Sequence, residues 1–224
     1  MIDFKPIILS LELAAMTTGL LFIVAVPLAY WLANGEFKLK PVVSTITSMP
    51  LVLPPTVLGF YLLVAFSPNY FLGSFIEKVF NIRLVFSFEG LVAASMIYSL
   101  PFMVNPIRAG LETLPVSLKE ASYTLGKSKF KTLVRILLPN IKPSLLTGLV
   151  LSFAHTIGEF GVILMIGGNI PGKTRVASLA IYDEVESLNY HSANIYAFVL
   201  FAVTFLILLT VYVFNDKYLK SGKV

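Results

Sequence analysis

The segment 167–174 has the spacing of a phosphate-binding loop. It reads G-G-N-I-P-G-K-T and matches the pattern G-x-x-x-x-G-K-[S/T] in full, in which backbone N–H groups and a lysine hold a phosphate chain. However, the apolar residues before it belong to a long hydrophobic run, and no further strands are predicted that would complete a nucleotide-binding domain. We therefore expect a turn in an external loop, where Lys173 and Arg175 provide positive charge.

A second group of reactive residues lies inside long apolar runs, namely Glu12, His155 and Glu159. Ionisable side chains in a membrane are costly and usually functional. The spacing of His155 and Glu159 places both on one helix face, where Ser152 and Thr156 complete a polar stripe. Such a stripe faces protein or water rather than lipid. It either lines a substrate pathway or forms a hydrogen-bonded cluster between helices, with Glu12 as a further member.

The composition identifies an integral membrane protein. Of the 224 residues, 57% are hydrophobic and 13% are charged, whereas soluble domains have about 45–50% apolar and about 25% charged residues. These values exclude an ordinary soluble enzyme, a disordered chain and a nucleic-acid-binding module. The absence of cysteine excludes thiolate metal sites and cysteine nucleophiles. We expect no metal site, since histidine and glutamate ligands are too few.

Long apolar runs predict five transmembrane helices, since about 20 residues cross the hydrocarbon core. The predicted spans are 7–33, 42–66, 90–107, 143–166 and 193–214. With the N-terminus outside, 12 of the 17 basic residues face the cytoplasm, as the positive-inside rule requires. We therefore predict an all-α membrane protein with five spans, its N-terminus outside and its C-terminus inside, as a single transmembrane domain over residues 1–224.

The longest cytoplasmic segment, 108–142, is predicted to form two short helices. Ser117 and Glu120 have the spacing of a capping box at the start of the first helix, and Gly126 lies where that helix would stop. The second helix is expected from about residue 128 to 138, ending near Pro139. A basic helical hairpin with an apolar face is suited to docking a soluble partner or to anchoring on the membrane surface, and physical arguments alone leave both open.

This segment resembles the EAA motif of bacterial ABC importer permeases. That motif is E-A-A, three residues, G, nine residues and I-x-L-P, and the chain matches it except that a serine replaces the second alanine. The resemblance implies a coupling helix that inserts into a groove on a separate ATPase subunit. The residues that it implies for coupling are Glu120, Ala121, Ser122, Gly126, Ile136 and Pro139.

Two further stretches narrow the resemblance within that family. P-L-V-L-P-P-T-V-L-G at 50–59 resembles molybdate permeases, and G-E-F-G at 158–161 with G-N-I-P-G-K-T at 168–174 resembles the molybdate and sulfate permease group. The resemblance implies a type I importer permease for molybdate, with tungstate as an alternative cargo, in a bacterial or archaeal cytoplasmic (inner) membrane. The implied partners are a second copy, two ATPase subunits that bind ATP and Mg, and an external molybdate-binding protein. The chain itself would hold no cofactor, bind no nucleic acid and catalyse no reaction.

Proline placement adds candidates for the substrate pathway. Pro54 and Pro55 interrupt the second span and remove backbone hydrogen bonds, and N–H groups freed at such breaks bind anions. With Thr56 beside them, they are expected near the route, although packing kinks would give the same pattern. Pro101 and Pro106 are expected to interrupt the third span in the same way.

The negative charge of an oxyanion cargo affects how the polar stripe is interpreted. Ser152, Thr156 and Glu159 remain candidates for the pathway, but a hydrogen-bonding role is favoured for Glu159 because a carboxylate repels an anion. No predicted span contains Lys or Arg, so a route that conducts the anion is expected rather than a tight site. One alternative cargo is sulfate, thiosulfate or another oxyanion. A different class, a stand-alone secondary transporter, fits less well because five spans show no internal repeat.

Overall fold

The computed structural model describes residues 3–35 and 37–221, with the backbone alone for 214–221. The described part consists of helices and connecting segments without a strand, which confirms the predicted all-α class. A 3-10 turn, Met49–Leu51, extends the second helix, and a π-turn, Leu133–Leu137, joins the seventh to the eighth. The helices are α1 Lys5–Asn34, α2 Lys40–Ser48, α3 Pro55–Phe66, α4 Phe71–Phe80, α5 Phe88–Glu112, α6 Val116–Thr124, α7 Lys129–Thr132, α8 Leu138–Asn140, α9 Lys142–Gly158, α10 Gly161–Gly167, α11 Ala177–Glu186 and α12 Tyr190–Ser221.

Among the described residues, three helices are long and apolar enough to cross a membrane: α1, α5 and α12. Two further spans are obtained if bent helix pairs are counted, namely Lys40–Leu51 with α3 and Lys129–Asn140 with α9, which bend by 113° and 83°. The predicted total of five therefore requires both bent pairs. The predicted fourth span, 143–166, is not one helix, because α9 ends at Gly158 and α10 begins at Gly161.

The prolines act differently in the second and third predicted spans. Pro54 precedes α3 in an extended conformation, with φ −55° and ψ 136°, and the second span bends by 113° at this break. Pro101 and Pro106 do not interrupt α5, which runs unbroken from Phe88 to Glu112, so the interruption expected there is wrong. α5 packs against α1, α9 and α10, and neighbouring helices compensate for the hydrogen bonds that a proline removes.

The interior of the bundle contains two apolar clusters with hydroxyl groups between them. One cluster includes Leu13 of α1 and the other includes Leu21 of the same helix. Thr17 lies between these two leucines and is fully buried. On the neighbouring helices α5 and α9, the buried hydroxyls of Ser99 and Thr156 lie 3.1 Å apart. Buried hydroxyl groups therefore lie on three helices, α1, α5 and α9, within an otherwise apolar interior.

Candidate coupling loop and substrate pathway

The first helix of the segment 108–142 begins directly after a proline. Pro115 has an extended conformation, with φ −58° and ψ 135°, and α6 starts at Val116 without a side-chain cap. Ser117 is therefore already inside the helix. The predicted capping box of Ser117 and Glu120 is wrong, because α6 begins two residues earlier than that box requires. Glu120 and Ala121 are exposed, which leaves them accessible to a partner.

Gly126 ends α6 in a left-handed turn. Its φ is +71°, and its N–H donates to the carbonyl oxygen of Tyr123 at 2.9 Å. The N–H of Lys127 donates to the carbonyl oxygen of Ser122 at 3.1 Å. These two bonds form a Schellman motif, which satisfies carbonyl groups at a helix end. The predicted helix stop at Gly126 is confirmed.

A buried hydroxyl pair joins the two halves of the segment 108–142, the candidate coupling loop, which is called the coupling loop below. The Ser122 Oγ and Thr132 Oγ1 atoms lie 2.8 Å apart, and both side chains are buried. Ser128 caps α7, since its Oγ accepts from the Lys131 N–H at 3.3 Å. Ser122, the residue that departs from the second alanine of the motif, therefore holds α6 against α7.

The second half of the loop is longer than predicted. It continues through the π-turn Leu133–Leu137 into α8, so the helical segment ends at Asn140 rather than at 138. Ile136 packs against the buried cluster that contains Leu21, whereas Pro139 is exposed within α8. The motif residues therefore divide into buried positioning groups and exposed groups.

The coupling loop is also fastened to the end of α1. Lys119 donates from Nζ to Asn34 Oδ1 at 3.1 Å, and the phenol oxygens of Tyr30 and Tyr123 lie 3.5 Å apart. Sequence analysis missed both pairs, because their members are 85 and 93 residues apart and no local spacing connects them. Two side-chain contacts therefore join α6 to the end of α1.

Three large apolar side chains are exposed on the coupling loop. Val116, Leu125 and Phe130 are 68%, 76% and 74% exposed, although apolar side chains of this size are usually buried. Lys127 and Lys129 are exposed close to them in the sequence. Exposed large apolar side chains among polar residues are typical of a protein–protein contact.

The breaks of the second and fourth predicted spans lie against each other. A β-carbon at Gly161, the first residue of α10, would be 2.8 Å from Pro55 Cβ and 3.5 Å from the Thr56 nitrogen. A β-carbon at Gly59 would be 3.1 Å from the Cα of Val162. Two helix starts, those of α3 and α10, therefore meet through glycine contacts. Pro54 and Thr56 are exposed in the single chain and Pro55 is half-buried.

Glu159 caps the second of these helices. It is extended, with φ −70° and ψ 135°, and its Oε1 accepts from the Val162 N–H at 2.8 Å. The Ser178 hydroxyl donates to its carbonyl oxygen at 2.7 Å, and the residue is only 6% exposed. The predicted shared helix face of His155 and Glu159 is wrong, because the helix ends before Glu159.

The remaining members of the polar stripe belong to a cluster between α5 and α9. Ser99 Oγ lies 3.0 Å from His155 Nδ1 and 3.1 Å from Thr156 Oγ1. Thr156 donates to the carbonyl oxygen of Ser152 at 2.8 Å, and both residues are buried. Glu12 is exposed on α1 and is not among the hydrogen-bonding partners in this cluster. These contacts match the alternative of an interhelical hydrogen-bonded cluster.

Several hydrogen-bond donors of the loop 167–174 bond to acceptors within the same loop. The Thr174 hydroxyl donates to the Gly167 carbonyl oxygen at 2.7 Å and accepts from the Ile170 N–H at 2.9 Å. The N–H groups of Lys173, Thr174 and Arg175 all point to the Ile170 carbonyl oxygen. A phosphate-binding loop needs its backbone N–H groups free to bind phosphate. Here several of them are used within the loop, which is therefore a closed turn, as expected from the long hydrophobic run that precedes it.

Comparisons with known proteins agree on one family. The sequence matches the family model described as binding-protein-dependent transport system inner membrane component over residues 25–221. It is 43% identical to the molybdenum transport system permease protein ModB of Azotobacter vinelandii, over 98% of this chain and 96% of that protein. It is 30% identical to the sulfate transport system permease protein CysT of Escherichia coli, over 96% and 76%.

A solved structure shares the fold. A bacterial ABC transporter involved in the import of the acidic polysaccharide alginate superposes with a TM-score of 0.79 at 17% identity, over 96% of this chain and 79% of that one. At this low identity the likeness concerns the architecture alone. The helical arrangement described above is therefore shared with a chain of that transporter.

Proposed function

The chain belongs to the family of binding-protein-dependent transport system inner membrane components, and we propose that it is the permease subunit of an ATP-driven molybdate importer. The observation that supports molybdate as the cargo is the 43% identity to a molybdenum permease over 98% of the chain, compared with 30% identity to a sulfate permease. Tungstate, an oxyanion of the same shape and charge, is the second cargo to test. Family membership argues against a stand-alone secondary transporter.

We propose five spans, with the N-terminus outside and the coupling loop on the cytoplasmic face. The three continuous spans and the two bent pairs support this count, with α9 as the membrane part of the second pair and Lys129–Asn140 at the cytoplasmic surface. The concentration of Lys and Arg in the coupling loop supports the orientation. Two copies would enclose the pathway, with an external binding protein above them and two ATPase subunits below. ATP and Mg belong to the ATPase subunits.

The coupling mechanism follows from the contacts of α6. The exposed residues Glu120, Val116 and Leu125 would enter the groove of the ATPase, while the buried Ser122–Thr132 hydroxyl pair keeps the loop rigid. Because Lys119 is bonded to Asn34 at the end of α1, movement of the ATPase would tilt this span. The 83° bend between the coupling loop and α9 would carry the same movement to the fourth span.

We place the anion route beside Pro54, Pro55 and Thr56. Their break lies against the start of α10, and the Thr56 hydroxyl is on an exposed part of the single chain. Glu159 would not contact the anion. Its carboxylate caps α10 and would thereby fix the position of this helix start. Ser152 and Thr156 lie deeper, and the bond between Thr156 and Ser99 of α5 would hold α9 next to the route.

Reconstitution with the partner ATPase tests the function. The permease and ATPase are assembled in proteoliposomes, and ATP hydrolysis is measured with binding protein that is empty or loaded with molybdate, tungstate or sulfate. We expect stimulation by the molybdate-loaded protein and little by the sulfate-loaded or empty protein. If only the sulfate-loaded binding protein stimulated ATP hydrolysis, the chain would be a sulfate permease. Uptake without ATP would exclude an ABC importer.

Variants at two sites test the assigned roles. Glu120→Lys should prevent assembly with the ATPase, whereas Glu186→Lys, an exposed glutamate of α11, should leave assembly intact. Thr56→Val preserves shape but removes the hydroxyl, and we expect slower molybdate uptake at unchanged assembly. Normal assembly of Glu120→Lys would disprove the coupling role, and normal uptake by Thr56→Val would remove Thr56 from the route.

A further inference from the structure

A narrow apolar groove separates α9 from α12. Its volume is about 230 Å³. Thr18 of α1 lies at its floor, and every other residue of its lining is apolar. These other residues are Leu146, Leu149, Val150, Phe153, Ile207, Leu208 and Val211.

The groove lies in the part of the bundle that faces lipid. α12 is the least buried of the three continuous spans, since 6% of its most apolar window is buried, compared with 61% for α5. Contacts of α12 with the bundle are concentrated near its start, where Ala193 and Tyr196 are buried. Farther along, side chains of α9 and α12 line a slot of hydrocarbon character between these two membrane helices.

A positive charge lies on α9 one helical turn before Leu146, the first α9 residue of the groove lining. Lys142 is the first residue of α9, and Leu146, Val150 and Phe153 follow at spacings of four, eight and eleven residues, so all four lie on one helix face. Lys142 is exposed, and its long apolar stem can follow the helix while the ammonium group stays at the membrane surface. An apolar slot that ends at a lysine complements a ligand with a hydrocarbon chain and an anionic head.

We propose that the groove between α9 and α12 binds an acyl chain of an anionic phospholipid whose headgroup is held by Lys142. The chain fills the slot along Leu146, Val150 and Phe153, between the two helices. Basic residues at the membrane surface attract anionic headgroups in this way. Because α9 follows the bend of the coupling loop, the bound lipid supports the helix that the loop moves.

Native mass spectrometry of the purified full-length chain, together with thermal unfolding in nanodiscs, tests this proposal. The nanodiscs contain phosphatidylcholine with or without phosphatidylglycerol. We expect one retained phosphatidylglycerol per chain and a higher unfolding midpoint with phosphatidylglycerol than without it. Lipid binding is measured without transport, so the result is independent of the proposed cargo.

Two variants distinguish the proposed contact with the lipid's acyl chain from the proposed contact with its headgroup. Val150→Trp fills the groove and should abolish lipid retention, whereas Ile23→Trp, on an exposed face of α1 outside the groove, should retain the lipid. Lys142→Gln should weaken phosphatidylglycerol binding about five-fold, since one lysine near an anionic surface contributes about that factor. Lys38→Gln, an exposed lysine between α1 and α2, is the matched control.

Three outcomes would overturn the proposal. The first is that the unaltered chain retains no lipid or retains both lipids equally. The second is that Val150→Trp retains phosphatidylglycerol as the unaltered chain does. The third is that Val150→Trp changes the oligomeric mass while lipid is absent from all samples, which would assign the groove to a second copy of the chain.

Discussion

Gly126→Ala isolates the conformational requirement at the end of the coupling helix. A β-carbon there would meet no atom within 4 Å, so the substitution introduces no clash, and its cost arises from the φ of +71°. A left-handed conformation costs an L-residue about 1–2 kcal/mol. A free energy of that size corresponds to roughly a 5- to 30-fold change in an equilibrium, here between the capped turn and alternatives that break its two backbone bonds.

The assay is the affinity of the purified permease for its partner ATPase. If only the capped loop fits the ATPase, the apparent dissociation constant rises as the capped fraction falls, by up to about 5- to 30-fold for alanine. Gly126→Asn should have a smaller effect, because asparagine enters the left-handed region more readily. Gly19→Ala is the control, since its β-carbon also meets nothing within 4 Å but lies inside α1, where alanine is favoured over glycine.

Wild-type affinity of a folded Gly126→Ala variant would refute the reasoning, because the left-handed turn would then not shape the docking surface. Equal loss of affinity in Gly126→Ala and Gly19→Ala would refute it as well, since the effect would then be general. Thermal unfolding of each variant confirms that the chain is folded before the affinities are compared.

Three further substitutions test the packing around these sites through the midpoint of thermal unfolding. Ser122→Ala leaves the buried Thr132 hydroxyl unpaired and should lower the free energy of unfolding by about 1–3 kcal/mol; adding Thr132→Val should recover part of the loss, and no change in either variant would contradict the pairing. Gly59→Val forces side-chain atoms against α10 and should cost about 1–3 kcal/mol, so an unaltered midpoint would disprove that contact. Glu112→Ala removes a partly exposed ion pair with Arg108 but leaves the bond from Arg108 to Ser44, and it should cost less than about 1 kcal/mol; a larger loss would mean that this pair is more than a surface contact.

The sequence predicted features that depend on neighbouring residues. Apolar runs located the membrane segments, since the free energy of membrane insertion is approximately a sum over the residues of one segment. The glycine of the EAA motif marked the end of α6, because few residues other than glycine adopt a positive φ readily. The same local rules failed at Ser117, whose spacing to Glu120 is correct but whose helix begins earlier.

Other features depend on which helices pack together. Hydropathy gave a continuous fourth span, whereas the carboxylate of Glu159 bonds to Val162 N–H and starts a new helix, because α3 packs closely against α10. The pairing of Ser122 with Thr132 and of Lys119 with Asn34 also had no signal in the sequence.

The sequence by itself therefore determined the membrane class, the approximate spans and the motif that carries the family resemblance. Only the tertiary structure decided that Glu159 caps a helix, that α5 runs through its prolines, and that a slot remains between α9 and α12. The physical reason is the distance along the chain over which each kind of interaction acts. Hydropathy, backbone preference and motif spacing act within a few residues, whereas buried hydrogen bonds, helix continuity at prolines and gaps between helices depend on contacts between residues far apart in the chain.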